Sequence, residues 1–170
     1  MPKTTTKPQK SIYQDRREAL GLSREKASEL LETIQPERLE RIESGKYTAY
    51  PGEVLTMAEK YQDPQLCNHY CAHECEIGKR YVPEIRVKEL PQIVLEMLAS
   101  LNSVKARQDR LIEITADGRI AADEVEDFVS IQNELERISV TVETLQLWAE
   151  KKIANGEIDM EAYRATIGRK

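Results

Sequence analysis

Helix-breaking residues divide this chain more decisively than any other feature. Between residues 11 and 160, Gly and Pro fall at Gly21, Pro36, Gly45, Pro51 with Gly52, Pro64, Gly78 and Pro83, and then only at Pro91, Gly118 and Gly156. Pro removes a backbone donor and Gly raises the entropy lost on ordering, so a helix between two such breaks is limited to the interval they leave. Up to Pro64 the intervals admit only short helices; beyond Pro91 they admit long ones. β-Branched residues seldom alternate with polar ones and aromatic content is 5%, so no segment reads as a strand and the fold class is all-α.

Composition narrows the possibilities. With 40% hydrophobic and 32% charged residues, the helices have one wet face each. No stretch approaches the roughly 20 apolar residues a membrane-spanning helix needs. The opening MPKTTTKPQK has lysines but no apolar core, which predicts a disordered basic arm over residues 1–10, not a secretory signal, and a cytoplasmic protein. The net charge of −5 conceals an asymmetry. Through residue 62 there are 11 basic against 10 acidic residues; the remainder has 14 against 20. Only the first part is compatible with a polyanion.

The N-terminal module, residues 11–78, reads as five short helices. Ser23 is an N-cap for the second, with Lys26 where a capping box would place Glu or Gln. Gln35 caps the third, and Pro36 occupies its first position, where a missing N–H costs nothing. A linker over 79–90 follows. Residues 91–155 read as two long amphipathic helices folded back at TADGRI into an antiparallel hairpin, and 156–170 as a tail with a short helix. The seam of the first hairpin helix is Val94, Met97, Leu101, Val104 and Leu111. That of the second is Phe128, Ile131, Leu135, Ile138, Val142, Leu145 and Ala149, a coiled-coil spacing over three heptads. Ile93, Leu95, Leu98, Ile112, Ile114, Val125, Val140 and Leu147 lie off that seam. A hairpin from a second copy would cover them, which predicts a homodimer with a four-helix arrangement; packing on the N-terminal module is the alternative.

GLSREKASELL, IQPERLERIESGK and the apolar helix EVLTMAEKY together resemble the Xre/Cro repressor-like helix-turn-helix family over residues 11 to 62, about a third of the chain. LERIESGK, at the end of the third helix, is the most specific part. Beyond that third, a helix-turn-helix followed by a Cys-rich turn and a C-terminal helical pair is similar to bacterial regulators of unassigned role. The resemblance implies a transcriptional regulator that binds double-stranded DNA, with a recognition helix over about 36–44 in the major groove. It implies that Gln35, Glu37, Arg38 and Arg41 face bases, that Arg24 and Lys46 reach phosphate with help from Lys3, Lys7 and Lys10, that Leu30, Leu39 and Ile42 are core, and that Glu43 is a buried anchor. The chemistry suits these roles: Arg pairs with guanine, Gln with adenine, and Glu accepts from cytosine. Two departures stand out. The turn ELLETIQP lacks the family's glycine and is one residue longer, and Glu37, Glu40 and Glu43 accompany the arginines. A degenerate domain that binds protein partners instead of DNA is therefore the competing reading.

Two further motifs invite chemistry. Cys67, Cys71 and Cys75 recur every four residues, so on a helix they form one stripe while His69 and His73 form another, about 200° away. Buried reduced thiols account for the spacing, and a thiolate metal site using the three cysteines with an outside ligand is the alternative. Asp117, Gly118, Ile120 and Glu124 imitate the second half of a calcium loop, but Glu113 and Thr115 stand where its first ligands belong, so the segment reads as a turn. No phosphate loop, nucleophile elbow or other cofactor motif is present in the sequence, which predicts no cofactor and no enzymatic activity.

Overall fold

The computed structural model describes residues 10–167, so most of the expected basic arm, including Lys3 and Lys7, lies outside the described residues. Every regular element described is a helix. The helices are α1 (Ile12–Ala19), α2 (Arg24–Leu31), α3 (Pro36–Glu43), α4 (Pro51–Lys60), α5 (Gln65–His73), α6 (Gly78–Tyr81), α7 (Leu90–Ala106), α8 (Gln108–Thr115), α9 (Val125–Ala154) and α10 (Met160–Ile167). No described helix is long and apolar enough to cross a membrane. The chain divides into two compact units. One contains residues up to Glu84 together with those from Lys151 onward; the other is Ile85–Glu150.

In the first unit the breaks fall where local chemistry dictates. Ser11 Oγ accepts from Gln14 N–H and Ser23 Oγ from Lys26 N–H, satisfying first-turn donors that no carbonyl reaches. Gly21 and Gly45 both take φ +69°, ending α1 and α3 in the left-handed region that glycine adopts without penalty. Gln35 precedes α3 in extended geometry without a side-chain cap, and Pro36 begins it. Glu53 accepts from Tyr50 N–H at 2.7 Å and so closes the start of α4.

One apolar core joins these short helices. Tyr13 comes from α1, Ala27 and Leu31 from α2, Leu39 and Ile42 from α3, Val54 and Met57 from α4, and Leu66 from α5, with Ile34 and Tyr61 from the connections. Each large aliphatic among them contributes roughly 1.5–3 kcal/mol on burial, which no eight-residue helix could supply for itself. Leu30, expected in this core, is exposed, while its neighbour Leu31 is fully buried. Adjacent helical residues lie about 100° apart, so only one of the pair faces inward. The helix expected to hold all three cysteines ends at His73, leaving Cys75 in the turn that leads to α6. There Gly78 packs so tightly that an added Cβ would stand 2.1 Å from the Cys71 carbonyl oxygen.

In the second unit, α7 and α8 are separated by a break at Arg107, where φ is −110° and ψ 7°. Arg107 donates to Ser130 Oγ, and Arg110 pairs with Asp127 at 2.7 Å. Three residues forward on one side correspond to three backward on the other, which makes this an antiparallel hairpin. A cleft of about 650 Å³, lined by Glu96, Ala99 and Ser100 from α7 and by Asn133, Arg137 and Thr141 among others from α9, lies between the helices. At the turn, Gly118 has φ +73°, Asp117 accepts from Arg119 N–H, and Glu124 accepts from Ala121 N–H. Both carboxylates of the calcium-loop imitation are thus turned to backbone donors.

The expected seam matches the face the hairpin buries only in part: Ile131 is buried and Met97, Val104, Leu111, Phe128, Ile138, Leu145 and Ala149 are half-buried, while off-seam Leu95, Leu98, Ile112 and Val125 are exposed. Val94, Leu101, Leu135 and Val142 are exposed, whereas Ile93, Ile114 and Leu147 from the expected off-seam set are buried, as are Thr141 and Thr144. The two threonines explain much of the difference. Their hydroxyls donate to the carbonyls of Arg137 and Val140, one turn back, so they enter a buried face with hydrogen bonds already made. Ile131 alone belongs to both the expected and the observed faces as a fully buried residue.

Candidate nucleic-acid interface

The connection between α2 and α3 is residues 32–35, and its backbone is strained. Glu32 has φ 61° and ψ −42°, and Thr33 N–H reaches back to the Leu31 carbonyl at 2.6 Å, which makes a three-residue turn of the positive-φ type. Glu32 thus holds a left-handed position where glycine would be unstrained. It also forms a surface ion pair with Lys60 at 3.2 Å.

Behind the two helices lies a charged network. Arg17, from α1, donates through Nε and Nη2 to the two Glu43 carboxylate oxygens at 2.5 and 2.9 Å, and through Nη1 to the Leu22 carbonyl at 2.6 Å. The hydrogen bonds from Glu43 push the Arg17 guanidinium above its ordinary pKa despite burial. Arg24 adds a third bond to Glu43 at 2.8 Å. The Glu43 side chain is fully buried, and three donors satisfy it, so α1, α2 and the end of α3 are held in one arrangement.

The outward residues of α3 divide into two groups. Gln35, Glu37 and Arg41 are exposed. Arg38 is not available in the same sense: it donates from Nε and Nη2 to the Glu53 carboxylate at 2.8 and 2.7 Å, donates to the Thr48 carbonyl, and lies 4.8 Å from the Tyr50 ring centre. The bidentate bond raises the Arg38 pKa and lowers that of Glu53. Lys46 pairs with Glu40 at 3.0 Å, which lowers the Glu40 pKa. Of the residues expected at phosphate, Arg24 and Lys46 therefore both meet a carboxylate of their own chain. Arg41 differs: it lies over the Tyr47 ring at 5.6 Å and, among the described residues, has no carboxylate partner.

Tyr47 and Tyr50 are the site residues that sequence reasoning missed. Both are exposed, and each supports an arginine of α3. Tyrosines flanking a glycine-initiated loop directly after the helix were the available signal.

The cysteine and histidine stripes occupy a different part of the unit. Cys67, Cys71 and Cys75 form no disulfide and are half-buried, and Cys75 Sγ accepts from Gly78 N–H at 3.4 Å. The His69 and His73 rings lie 4.6 Å apart, and burial followed by His73 lowers the His69 pKa. Tyr13 Oη donates to Glu74 at 2.7 Å beside them. Among the described residues, no three His, Cys, Asp or Glu side chains group to hold a metal ion.

No family model matches the chain, and no curated protein or solved structure matches it.

Proposed function

We propose that this protein is a cytoplasmic, sequence-specific DNA-binding regulator of the Xre/Cro helix-turn-helix type, acting as a homodimer and not as an enzyme. The observation that carries the reading is α3 itself. It is an eight-residue helix whose inner face is fixed by Leu39, Ile42 and the Arg17–Glu43–Arg24 network, while Gln35, Glu37 and Arg41 point outward. Such a helix can enter a major groove as a rigid body, with Arg41 hydrogen-bonding a guanine and Gln35 an adenine. Arg38 supports the surface by holding Tyr50 and α4, and Arg24 and Lys46 contribute positive charge at its edges. Dimerisation falls to the hairpin, where Leu95 and Leu98, nearly one turn apart on α7, are 68% and 52% exposed.

A second reading, a helix-turn-helix derivative that binds protein, draws on one specific observation: Arg24, Arg38 and Lys46 all have intramolecular carboxylate partners. Selection of duplex fragments by the purified protein across a salt series separates the two. Regulation by DNA binding requires an enriched motif with paired half-sites, an affinity that falls with salt, and its loss in Arg41→Ala. No enrichment at low salt selects the protein-binding reading.

A further inference from the structure

We infer that Tyr47 sets the base specificity of Arg41: its ring holds the Arg41 guanidinium in place while leaving the hydrogen-bond donors free for the paired acceptors of a guanine. The inference rests on the DNA-binding reading above and assigns it a positioning residue. Arg38 and Arg41 each lie over a tyrosine ring, 4.8 Å from the centre of Tyr50 and 5.6 Å from that of Tyr47. Their donors fare differently. Arg38 commits Nε and Nη2 to Glu53, and Nη2 also to the Thr48 carbonyl. The Arg41 side chain makes no hydrogen bond among the described residues, so the ring is what locates it.

The backbone fixes where that ring sits. Past the end of α3, Gly45 turns the chain at φ +69° with its N–H on the Ile42 carbonyl at 3.0 Å, and Tyr47 N–H donates to the carbonyl of Arg41 itself at 3.2 Å. Ser44 Oγ donates to the same carbonyl at 3.3 Å. The residue that carries the ring is thus tied directly to the residue that carries the charge. A guanidinium attracted to an aromatic face gives up rotamer freedom before it meets a ligand, and it retains the planar fork of donors that matches guanine O6 and N7. A carboxylate partner would locate the side chain equally well but occupy the fork, as Glu53 does for Arg38.

Two measurements on the full-length chain test this, with variants at a side chain that is 57% exposed and so outside the core. In the free protein, the ring current of Tyr47 is expected to shift the Arg41 side-chain protons upfield; Tyr47→Leu abolishes the shift and Tyr47→Phe keeps it. No shift in the unaltered chain overturns the inference without reference to DNA. Fluorescence anisotropy then compares the duplex that the unaltered chain selects with duplexes altered one base pair at a time. Arg41→Ala marks its base as the position where discrimination disappears. Tyr47→Leu is expected to reduce discrimination at that position alone by about 2- to 5-fold, Tyr47→Phe to retain it, and Tyr47→Leu added to Arg41→Ala to cause no further loss. A loss spread evenly over all duplexes, or one that persists without Arg41, overturns the positioning role and makes Tyr47 a DNA contact in its own right. Failure to select any duplex overturns the DNA-binding reading, and the specificity role with it, even where the ring-current shift is present.

Discussion

Glu43 and Tyr61 both put polar atoms where water cannot follow, and the consequences are opposite. Glu43 accepts three hydrogen bonds from Arg17 and Arg24. Glu43→Ala leaves the Arg17 guanidinium buried without its counter-charge and is expected to lower stability by about 3–5 kcal/mol. Urea denaturation measures this; a change under 1 kcal/mol would mean that the network contributes geometry and little energy. Tyr61, by contrast, is buried with its hydroxyl lacking a hydrogen-bond partner, and burial pushes its pKa up to about 12 from the ordinary 10. Above pH 10 the unfolded chain releases this proton before the folded one does. Stability is therefore intact below pH 10 and declines by about 2–3 kcal/mol as pH rises to 12. Tyr61→Phe removes both the unsatisfied hydroxyl and the proton, so denaturation curves between pH 9 and 12 should flatten in that variant at no loss of neutral-pH stability. An equally steep decline in Tyr61→Phe would assign the alkaline sensitivity elsewhere, Tyr13 beside Glu74 being the next candidate.

The turn from α2 to α3 is the element where sequence and backbone disagree most. Glu32 occupies a conformation that stores about 1–3 kcal/mol in a non-glycine residue. Glu32→Gly releases that strain, loses a surface ion pair with Lys60 and loosens the unfolded chain by about 0.5–1 kcal/mol. The net expectation is a melting temperature raised by a few degrees, and a fall would show that Glu32 is comfortable there. Gly78 illustrates the reverse case, because its missing Cβ makes room for the Cys71 carbonyl. Gly78→Ala should cost about 1–3 kcal/mol through overpacking of α6 on α5, measured by the same thermal melts. Most helix ends were legible because Gly21, Pro36, Gly45 and Pro51 act locally, as do the caps at Ser11 and Ser23. The break at Arg107 has no Gly or Pro to announce it, and Arg38 finds its partner Glu53 fifteen residues away, beyond any local pattern. The buried face of α9 was legible only in part, at Ile131 and the half-buried Phe128, Ile138, Leu145 and Ala149, and for a different reason. Thr141 and Thr144 count as polar in a hydrophobic pattern, yet each satisfies its own hydroxyl within the helix, and no seven-residue count registers that.

For the whole molecule the proposed function raises the question of how a chain of net charge −5 would bind a polyanion. Non-specific attraction must be weak, because the residues beyond 62 are acidic and three of the basic groups near α3 are already paired. On the proposed reading, affinity would then depend on specific contacts and on two copies of α3 acting together. Arg41→Ala is expected to weaken binding to the selected site by about 10- to 100-fold with the melting temperature unchanged, the loss of one base contact. Arg38→Ala should act the other way round: removing the bond to Glu53 loosens α3 from α4, so stability falls first and binding follows. The linked-domain requirement makes the sharper prediction. If the hairpin holds two α3 helices at a fixed separation, binding of the second half-site becomes intramolecular, and a monomeric chain carrying Leu95→Glu and Leu98→Glu loses that advantage while keeping Gln35, Glu37 and Arg41. Fluorescence anisotropy on a paired and on a single half-site should therefore give a loss of about 100-fold or more on the paired site and almost none on the single one. Equal affinity of the two chains for the paired site would mean that the hairpin associates for some purpose other than DNA recognition, and α3 would have to be understood as the surface of a monomer.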